Sequence, residues 1–419
     1  MINSNGMNKQ GKYANLKVLV AQLGPRMYYG VPKILHRIGM LEQLHTDFYV
    51  AKWPWHLLYS NTFSALLPKP AKILSARKTN LPPDKVTAFQ AFGIQYIYRL
   101  IRSRNATDTW RINLWAGKKF NELIIKRGIG QCNCIYGFKG ASLNLFEPAA
   151  KLGIKRVLEQ CASPKLVEHD IVREEYYRWL GWEEPTSPEG IKAFAEIEAM
   201  EWELADLIIC PSSFVNNGLE RLGVPNHKRR VVPYGVDLER RILPRQKKSK
   251  PLRVLFVGQV RLLKGIPYLI DAMRQFTSRE AICRVVGPIM VSAQKLAAYT
   301  PDNVSLVGSV ARKDIGAQYG WADVFCLPTL CEGSATVIYE ALACGLPVIT
   351  TPNSGSIIPE GTEHFLVPIR SPDAIADALR RIAKRKYPLT GAAVTKNLQK
   401  TVSFDSYANR LIDALQNIR

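Results

Sequence analysis

Two glutamates with seven residues between them, Glu332 and Glu340, lie in the stretch where residue type and spacing best add up to a binding site. Asp323 to Leu327 is a short apolar run of strand character, ended by Pro328. Glu332-Gly333-Ser334 then reads as a tight turn into a helix that Ser334 can cap. Gly333 leaves room for a ligand against the backbone. Gly345 ends the helix, and Pro347-Val348-Ile349-Thr350 resumes a buried strand. A helix N-terminus at the carboxyl end of a parallel strand offers free N–H groups and a positive dipole, which suit an anionic ligand. Taken as a pair alone, the glutamates read equally well as a first-turn dipole partner and a solvated helix residue.

The flanks separate these readings. After Glu340 the chain runs Ala341-Leu342-Ala343-Cys344-Gly345-Leu346-Pro347-Val348. The whole run resembles the donor site of retaining glycosyltransferases of the GT-B fold, the large family 4 (glycosyl transferases group 1). That family's signature is two glutamates separated by seven residues, then Ala-x-Ala-x-Gly-x-Pro-Val. Ala205-Asp206, Pro211-Ser212 and Val232-Pro233-Tyr234-Gly235-Val236-Asp237 also look like this family, at the end of its first domain. The resemblance covers the chain from about Gly130 onward, while the first 130 residues match by position alone. It implies an α/β protein of GT-B type, with two Rossmann-like domains whose parallel sheets face one another across a cleft. The expected donor is a nucleoside-diphosphate sugar and the expected acceptor a glycan or lipid-linked glycan.

The resemblance assigns Glu340 to the ribose hydroxyls and Glu332 to a hydroxyl of the donor sugar. Gly333 gives the space, and the backbone N–H groups of Ser334, Ala335 and Thr336 contact sugar and diphosphate. Ser309-Val310 stand where the family holds the nucleobase. Gly30, in a loop after the first strand, faces donor and acceptor. Breaking the anomeric C–O bond puts negative charge on the leaving diphosphate, which a metal ion or fixed cations and N–H dipoles must absorb. No Asp-x-Asp metal motif occurs, so no metal and no cofactor are expected. Cations are available in Gly258-Gln259-Val260-Arg261-Leu262-Leu263-Lys264-Gly265. Lys264 matches the family's diphosphate lysine. The family's arginine position holds Gln259, and Arg261 two residues on is the substitute. The catalytic set is thus Glu332, Lys264 and Arg261, with neither glutamate acting as a covalent nucleophile. The family's histidine near the anomeric carbon has no counterpart in Val157-Leu158-Glu159-Gln160-Cys161-Ala162-Ser163-Pro164, which leaves Glu159 or Gln160 for the acceptor side.

The elements that must position these residues alternate strand and helix. Leu16–Gln22 is a first strand, followed by a loop to Gly30 and a helix over Val31–Gly39. Further strands fall at Cys134–Tyr136, Lys155–Gln160, Ala205–Ser212 and Lys228–Tyr234, and helices at Ile191–Leu204 and Ser213–Leu222. A second series starts at Val254, with strands at Cys283–Val286, Val304–Val307, Asp323–Leu327 and Pro347–Thr350. Residues 1–15 read as a disordered tail, 16–245 as the acceptor-side domain and 252–401 as the nucleotide-sugar domain. The helix within 402–419 is expected to cross back to the first domain, as in GT-B enzymes.

Composition narrows the partners. The chain of 419 residues carries 57 Lys and Arg against 35 Asp and Glu, a net charge of +22. Residues 1–251 hold 38 of the bases and 22 of the acids, so most of the surplus lies in the half that selects the acceptor. Charge alone admits nucleic acid, an anionic membrane or a phosphorylated substrate. No RRM, KH or zinc-finger pattern supports nucleic acid. Arg99–Arg127 is dense in bases, with Tyr96, Tyr98, Trp110 and Trp115 in it or just before it, as in helices that lie on anionic bilayers. The plainer alternative is a solvated helix face with its aromatics in the core. The uncharged runs 53–68 and 341–359 are too polar and too broken to span a bilayer. With no disulfide pattern among 8 cysteines and no secretory signal, the expected location is the cytoplasm, peripheral on the inner face of the membrane. A sugar-nucleotide epimerase or a phosphorylase on the same fold remains the alternative enzyme, and a basic nucleic-acid-binding protein a remote one.

Overall fold

The computed structural model describes residues 16–51, 74, 77–103, 106–236, 250–358, 365–384 and 401–418. The tail 1–15, the aromatic run 53–67, Arg104, Asp237, most of the 238–251 linker and the segment 361–364 lie outside the described residues.

Strands form where apolar runs can be buried on both faces. Val18–Gln22 (β1), Cys134–Phe138 (β4) and Leu207–Cys210 (β6) are buried along their whole length, as expected for central strands of a parallel sheet. With Leu41–Thr46 (β2), Val86–Ala88 (β3), Lys155–Glu159 (β5) and Arg229–Val231 (β7) they make a seven-stranded sheet in the order β3-β2-β1-β4-β5-β6-β7. The second sheet has six strands: Leu252–Val257 (β8), Ala281–Val286 (β9), Val304–Gly308 (β10), Val324–Leu327 (β11), Val348–Thr350 (β12) and Phe365–Leu366 (β13). Their order is β10-β9-β8-β11-β12-β13. Every pairing in both sheets is parallel. Each sheet reverses its winding direction once, between β1 and β4 and between β8 and β11. The loops at the carboxyl ends of such strand pairs frame a crevice where open α/β sheets hold ligands.

Helices cover the sheets. In the first domain they are Gly30–Arg37 (α1), Gln90–Ile101 (α2), Ala106–Arg127 (α3), Leu143–Lys151 (α4), Lys165–Arg178 (α5), Pro188–Leu204 (α6) and Ser213–Arg221 (α7). Ser212 caps α7 by accepting from the Val215 N–H at 3.2 Å. Glu201 of α6 caps α4 from outside, accepting from the N–H groups of Gly140, Ser142 and Leu143. The second domain adds Ile266–Met273 (α8), Ala293–Tyr299 (α9), Ile315–Trp321 (α10), Thr336–Ala343 (α11) and Pro372–Ala383 (α12). The terminal helix Phe404–Gln416 (α13) packs on the first domain: Arg410 donates to the Pro233 carbonyl at 2.9 Å, and the Tyr407 and Tyr234 rings meet edge to face.

Helix α5 belongs to the first domain in sequence but grips the second. The buried Glu175 carboxylate accepts from the Tyr268 hydroxyl at 2.7 Å and from Arg370 Nε at 2.6 Å. Just beyond the helix, Trp179 and Trp182 stack edge to face against Tyr299, and the Ser292 N–H donates to the Trp182 carbonyl at 2.7 Å.

The basic stretch forms α2 and α3, and most of its aromatics turn inward. Trp115 packs beside Phe92 in the core under Arg99, whose guanidinium lies 4.0 Å from the indole centroid. Trp110 lies against Gly190, where a Cβ would collide with the indole. The large apolar residues left exposed on these helices are Ile94, Tyr98 and Ile101 of α2 and Ile125 of α3, with Arg102 stacked on Tyr98. Among the described residues no helix is long and apolar enough to cross a membrane.

Candidate active site

The two loops at the β8/β11 switch point carry half of the residues singled out from sequence, among them all three of the catalytic set. Residues 258–265 follow β8 and residues 328–335 follow β11. The loops are tied together by backbone: the Leu330 N–H and the Thr329 hydroxyl both donate to the Leu263 carbonyl, at 2.9 and 3.1 Å. Gly265 has φ 71°, and a Cβ there would run into the Pro328 carbonyl, so the approach requires glycine. This contact brings Lys264 and Glu332 together as an ion pair, each half-buried. A lysine and a carboxylate so placed bind opposite parts of one ligand, an anion and a hydroxyl.

Glu340 lies one turn into α11, half-buried, and accepts from the Tyr319 hydroxyl at 3.0 Å. Ser309 and Val310 follow β10 on the same side of the sheet, with Arg312 beside them. Arg312 reaches across to the first domain, where its guanidinium lies 3.4 Å from the centroid of the Tyr28 ring. Tyr28 sits between Met27 and Tyr29, and all three have positive φ (45°, 51° and 60°), an unfavourable backbone held at the edge of the crevice. Gly30 follows directly and opens α1.

Several expectations are corrected. Ser334 does not cap the helix: α11 starts at Thr336 after Ala335, without a side-chain cap, and the Ser334 hydroxyl meets the Tyr339 hydroxyl at 3.2 Å. The Ala335 N–H is spent on the Ser354 carbonyl at 3.1 Å, so it is not a free donor. Arg261 is held by Glu183 at 3.3 Å, and the same carboxylate takes the Leu262 N–H at 2.6 Å. Gly258 keeps its place directly after β8 with a positive φ of 157°, and its carbonyl occupies the space where Gly287 would carry a Cβ. Gln160 is fully buried: its amide donates to Glu198 and Ala162 and accepts from Trp202 Nε1 at 2.9 Å. Glu159 is buried too, between the Tyr136 and Tyr234 hydroxyls at 2.6 and 2.5 Å. Burial raises its pKa above the usual carboxylate range, against the two hydroxyl donors and Arg26. Neither residue offers a free side chain to the crevice.

The position after β5 is filled instead by Cys161 and, opposite it, Arg26. Arg26 Nη1 lies 3.1 Å from the Cys161 sulfur, and the residue as a whole is exposed. The Cys161 carbonyl presses on Gly333, where a Cβ would collide with it. Cys161 thus touches both Arg26 and the Glu332-Gly333 turn, with Arg26 on the opposite wall. Sequence reading missed it, because an arginine after Gly24-Pro25 has no local signature. The one signal was its place in the loop at the carboxyl end of β1.

Comparison with known proteins follows the same lines. Residues 251–385 match the family model of glycosyl transferases group 1. The amylovoran biosynthesis glycosyltransferase AmsK of Erwinia amylovora is 31% identical over 194 residues, 43% of this chain and 47% of the relative. The putative colanic acid biosynthesis glycosyltransferase WcaL of Salmonella typhimurium is 27% identical over 236 residues, 51% of this chain and 57% of the relative. The chain spans about half the length of the curated relatives it matches. Among solved structures, sucrose-phosphate synthase from Thermosynechococcus elongatus superposes with a TM-score of 0.63 at 17% identity, covering 96% of this chain and 98% of that one. HepE of Anabaena with UDP-glucose gives 0.58 at 14% identity, covering 96% and 99%. The fold is GT-B.

The contact at Gly333 generates a prediction. Gly333→Ala places a methyl against the Cys161 carbonyl, so the walls of the GT-B cleft must part. Small-angle scattering should report a larger radius of gyration for the variant, with each domain's secondary structure unchanged by circular dichroism. An unchanged radius would show that the turn yields instead.

Proposed function

We propose that the protein is a retaining, metal-independent glycosyltransferase of family 4. It moves a sugar, hexosyl in type, from a nucleoside-diphosphate sugar to a glycan or lipid-linked acceptor in cell-surface polysaccharide or glycoconjugate synthesis. The observation that carries this reading is the Lys264–Glu332 pair at the β8/β11 switch point, with Glu340 on the helix that follows. Lys264 takes the diphosphate once a ligand displaces it from Glu332, and Glu332 turns to a hydroxyl of the donor sugar. Glu340 holds the ribose, and the base lies along Ser309-Val310 under the Tyr28–Arg312 stack. Arg26 adds a cation from the opposite wall, where Gly30 opens α1. The anomeric C–O bond to the diphosphate breaks and the acceptor oxygen bonds to the same face. The acceptor proton passes to the departing phosphate oxygen. Amylovoran and colanic acid, named for two relatives, support a polysaccharide product.

The glutamates test the reading. Glu332→Gln and Glu340→Gln should each lower transfer by about ten- to a hundredfold, the worth of a charged hydrogen bond. Only Glu340→Gln should weaken UDP, GDP or ADP binding, read by thermal shift. Wild-type turnover in both variants would refute the site.

Fixed cations in place of a metal predict that EDTA leaves transfer intact. Activity that vanishes with chelator and returns with Mn²⁺ would refute metal independence.

The exposed α2 face supports peripheral attachment to an anionic membrane. Ile94, Tyr98 and Ile101 offer apolar contact, and Arg99, Arg102, Lys118 and Lys119 are exposed on α2 and α3. Each such cation contributes about 1 kcal/mol near an anionic surface. The protein should sediment with anionic liposomes at low salt and release at high salt. Replacing Arg102, Lys118 and Lys119 by Gln should weaken sedimentation and spare nucleotide binding. Equal sedimentation with neutral vesicles would refute the electrostatic attachment.

A further inference from the structure

A cavity of about 560 Å³ lies between α5, the segment 183–189 and the second-domain residues Leu262 and Leu263, within the size range of small-molecule sites. Its lining runs against the charge of the whole chain. Glu175, Glu183, Glu184 and Glu189 face Arg173 as the only Lys or Arg in the lining, in a protein of net charge +22. Glu175 and Glu183 are held by Arg370 and Arg261, while Glu184 and Glu189 are exposed. The His169 ring adds a buried Nδ1 with no protein partner, and burial together with Arg173 lowers its pKa. Tyr176 and Tyr177 meet edge to face along the wall, and Tyr177 is 69% exposed.

These surfaces specify a ligand. Carboxylates repel a nucleotide, a lipid diphosphate or any other anion. The exposed carboxylates accept hydrogen bonds from hydroxyls, the imidazole ring offers a further polar nitrogen, and tyrosine rings with Val172, Leu262 and Leu263 take apolar C–H faces. A neutral saccharide has both features and no negative charge. The location suits it, because Leu262 and Leu263 immediately precede Lys264, and Glu183 anchors that same loop. We propose that this cavity is a subsite for the neutral saccharide portion of the acceptor. The inference rests on the glycosyltransferase reading. It places the glycan in an acidic cavity, apart from the cations that serve diphosphate and membrane.

The test is saturation-transfer NMR on the full chain with saturating UDP or GDP. The probes are gluco-, manno- and galacto-tetrasaccharides, with tetragalacturonate as the anionic control. At least one neutral tetrasaccharide should bind and the uronate should not. Tyr177→Ala combined with Glu184→Gln should weaken that binding by about tenfold or more. Both residues are exposed, so the thermal midpoint should hold, and nucleotide affinity and acceptor-free donor hydrolysis should match wild type. The proposal is overturned if no neutral probe binds, if the uronate binds equally well, or if the double variant binds as wild type does. Loss of saccharide binding alone leaves the glycosyltransferase reading intact. Failure of every nucleoside diphosphate to bind would refute that reading instead.

Discussion

Backbone without side chains sets how near the two domains can come. Gly333 lies under the Cys161 carbonyl, and Gly355 fits between the Gly333 carbonyl and the Ser212 hydroxyl. A Cβ at either position would fill the gap. Because these contacts join the loop after β5 and the cap of α7 to the second-domain turns, they fix which first-domain residues face Lys264 and Glu332. Arg26 and Cys161 come into the site by this route, and the strained Met27–Tyr29 segment meets Arg312 by the same closure.

The closure is held on its flank by α5. Glu175 gives up water for the Tyr268 hydroxyl and Arg370, both on the second domain. Removing a carboxylate from water costs several kcal/mol, so the pair stabilises only when its geometry is complete. That makes it a registration device as much as an adhesive: it is satisfied only with the domains in this arrangement. The edge-to-face cluster of Trp179, Trp182, Tyr268 and Tyr299 buries apolar area around it and keeps solvent from the pair.

Charge is partitioned to match. Part of the basic surplus of the first domain lies on exposed faces of α2 and α3, while its buried acids are consumed internally, Glu159 by tyrosines, Glu198 by Lys139 and Glu201 by backbone N–H groups. Glu184 and Glu189 stay exposed beside α5, in a lining shared with Leu262 and Leu263, which precede Lys264. The cleft thus carries opposite potentials a short distance apart.

The sequence by itself determined whatever depends on neighbours in the chain. Central strands are continuous apolar runs, so β1, β4, β6 and the second series were legible to within a residue or two. The turn at Glu332-Gly333 and the loop at Arg261–Lys264 could be read because each is a short segment following its strand. The polar β2, Leu-Glu-Gln-Leu-His-Thr, escaped because a partly covered strand near the sheet edge shows neither alternation nor an apolar run. The helical clasp α5 escaped because its charged residues face partners elsewhere, Glu175 meeting Arg370 across 195 positions. Only the tertiary structure decided that Gln160 and Glu159 serve the core, that Trp115 turns inward, and that Arg26 stands in the crevice, 135 positions from the Cys161 it meets. Propensity and spacing describe local backbone, whereas the direction a polar side chain takes follows from which distant groups can satisfy it once water is excluded.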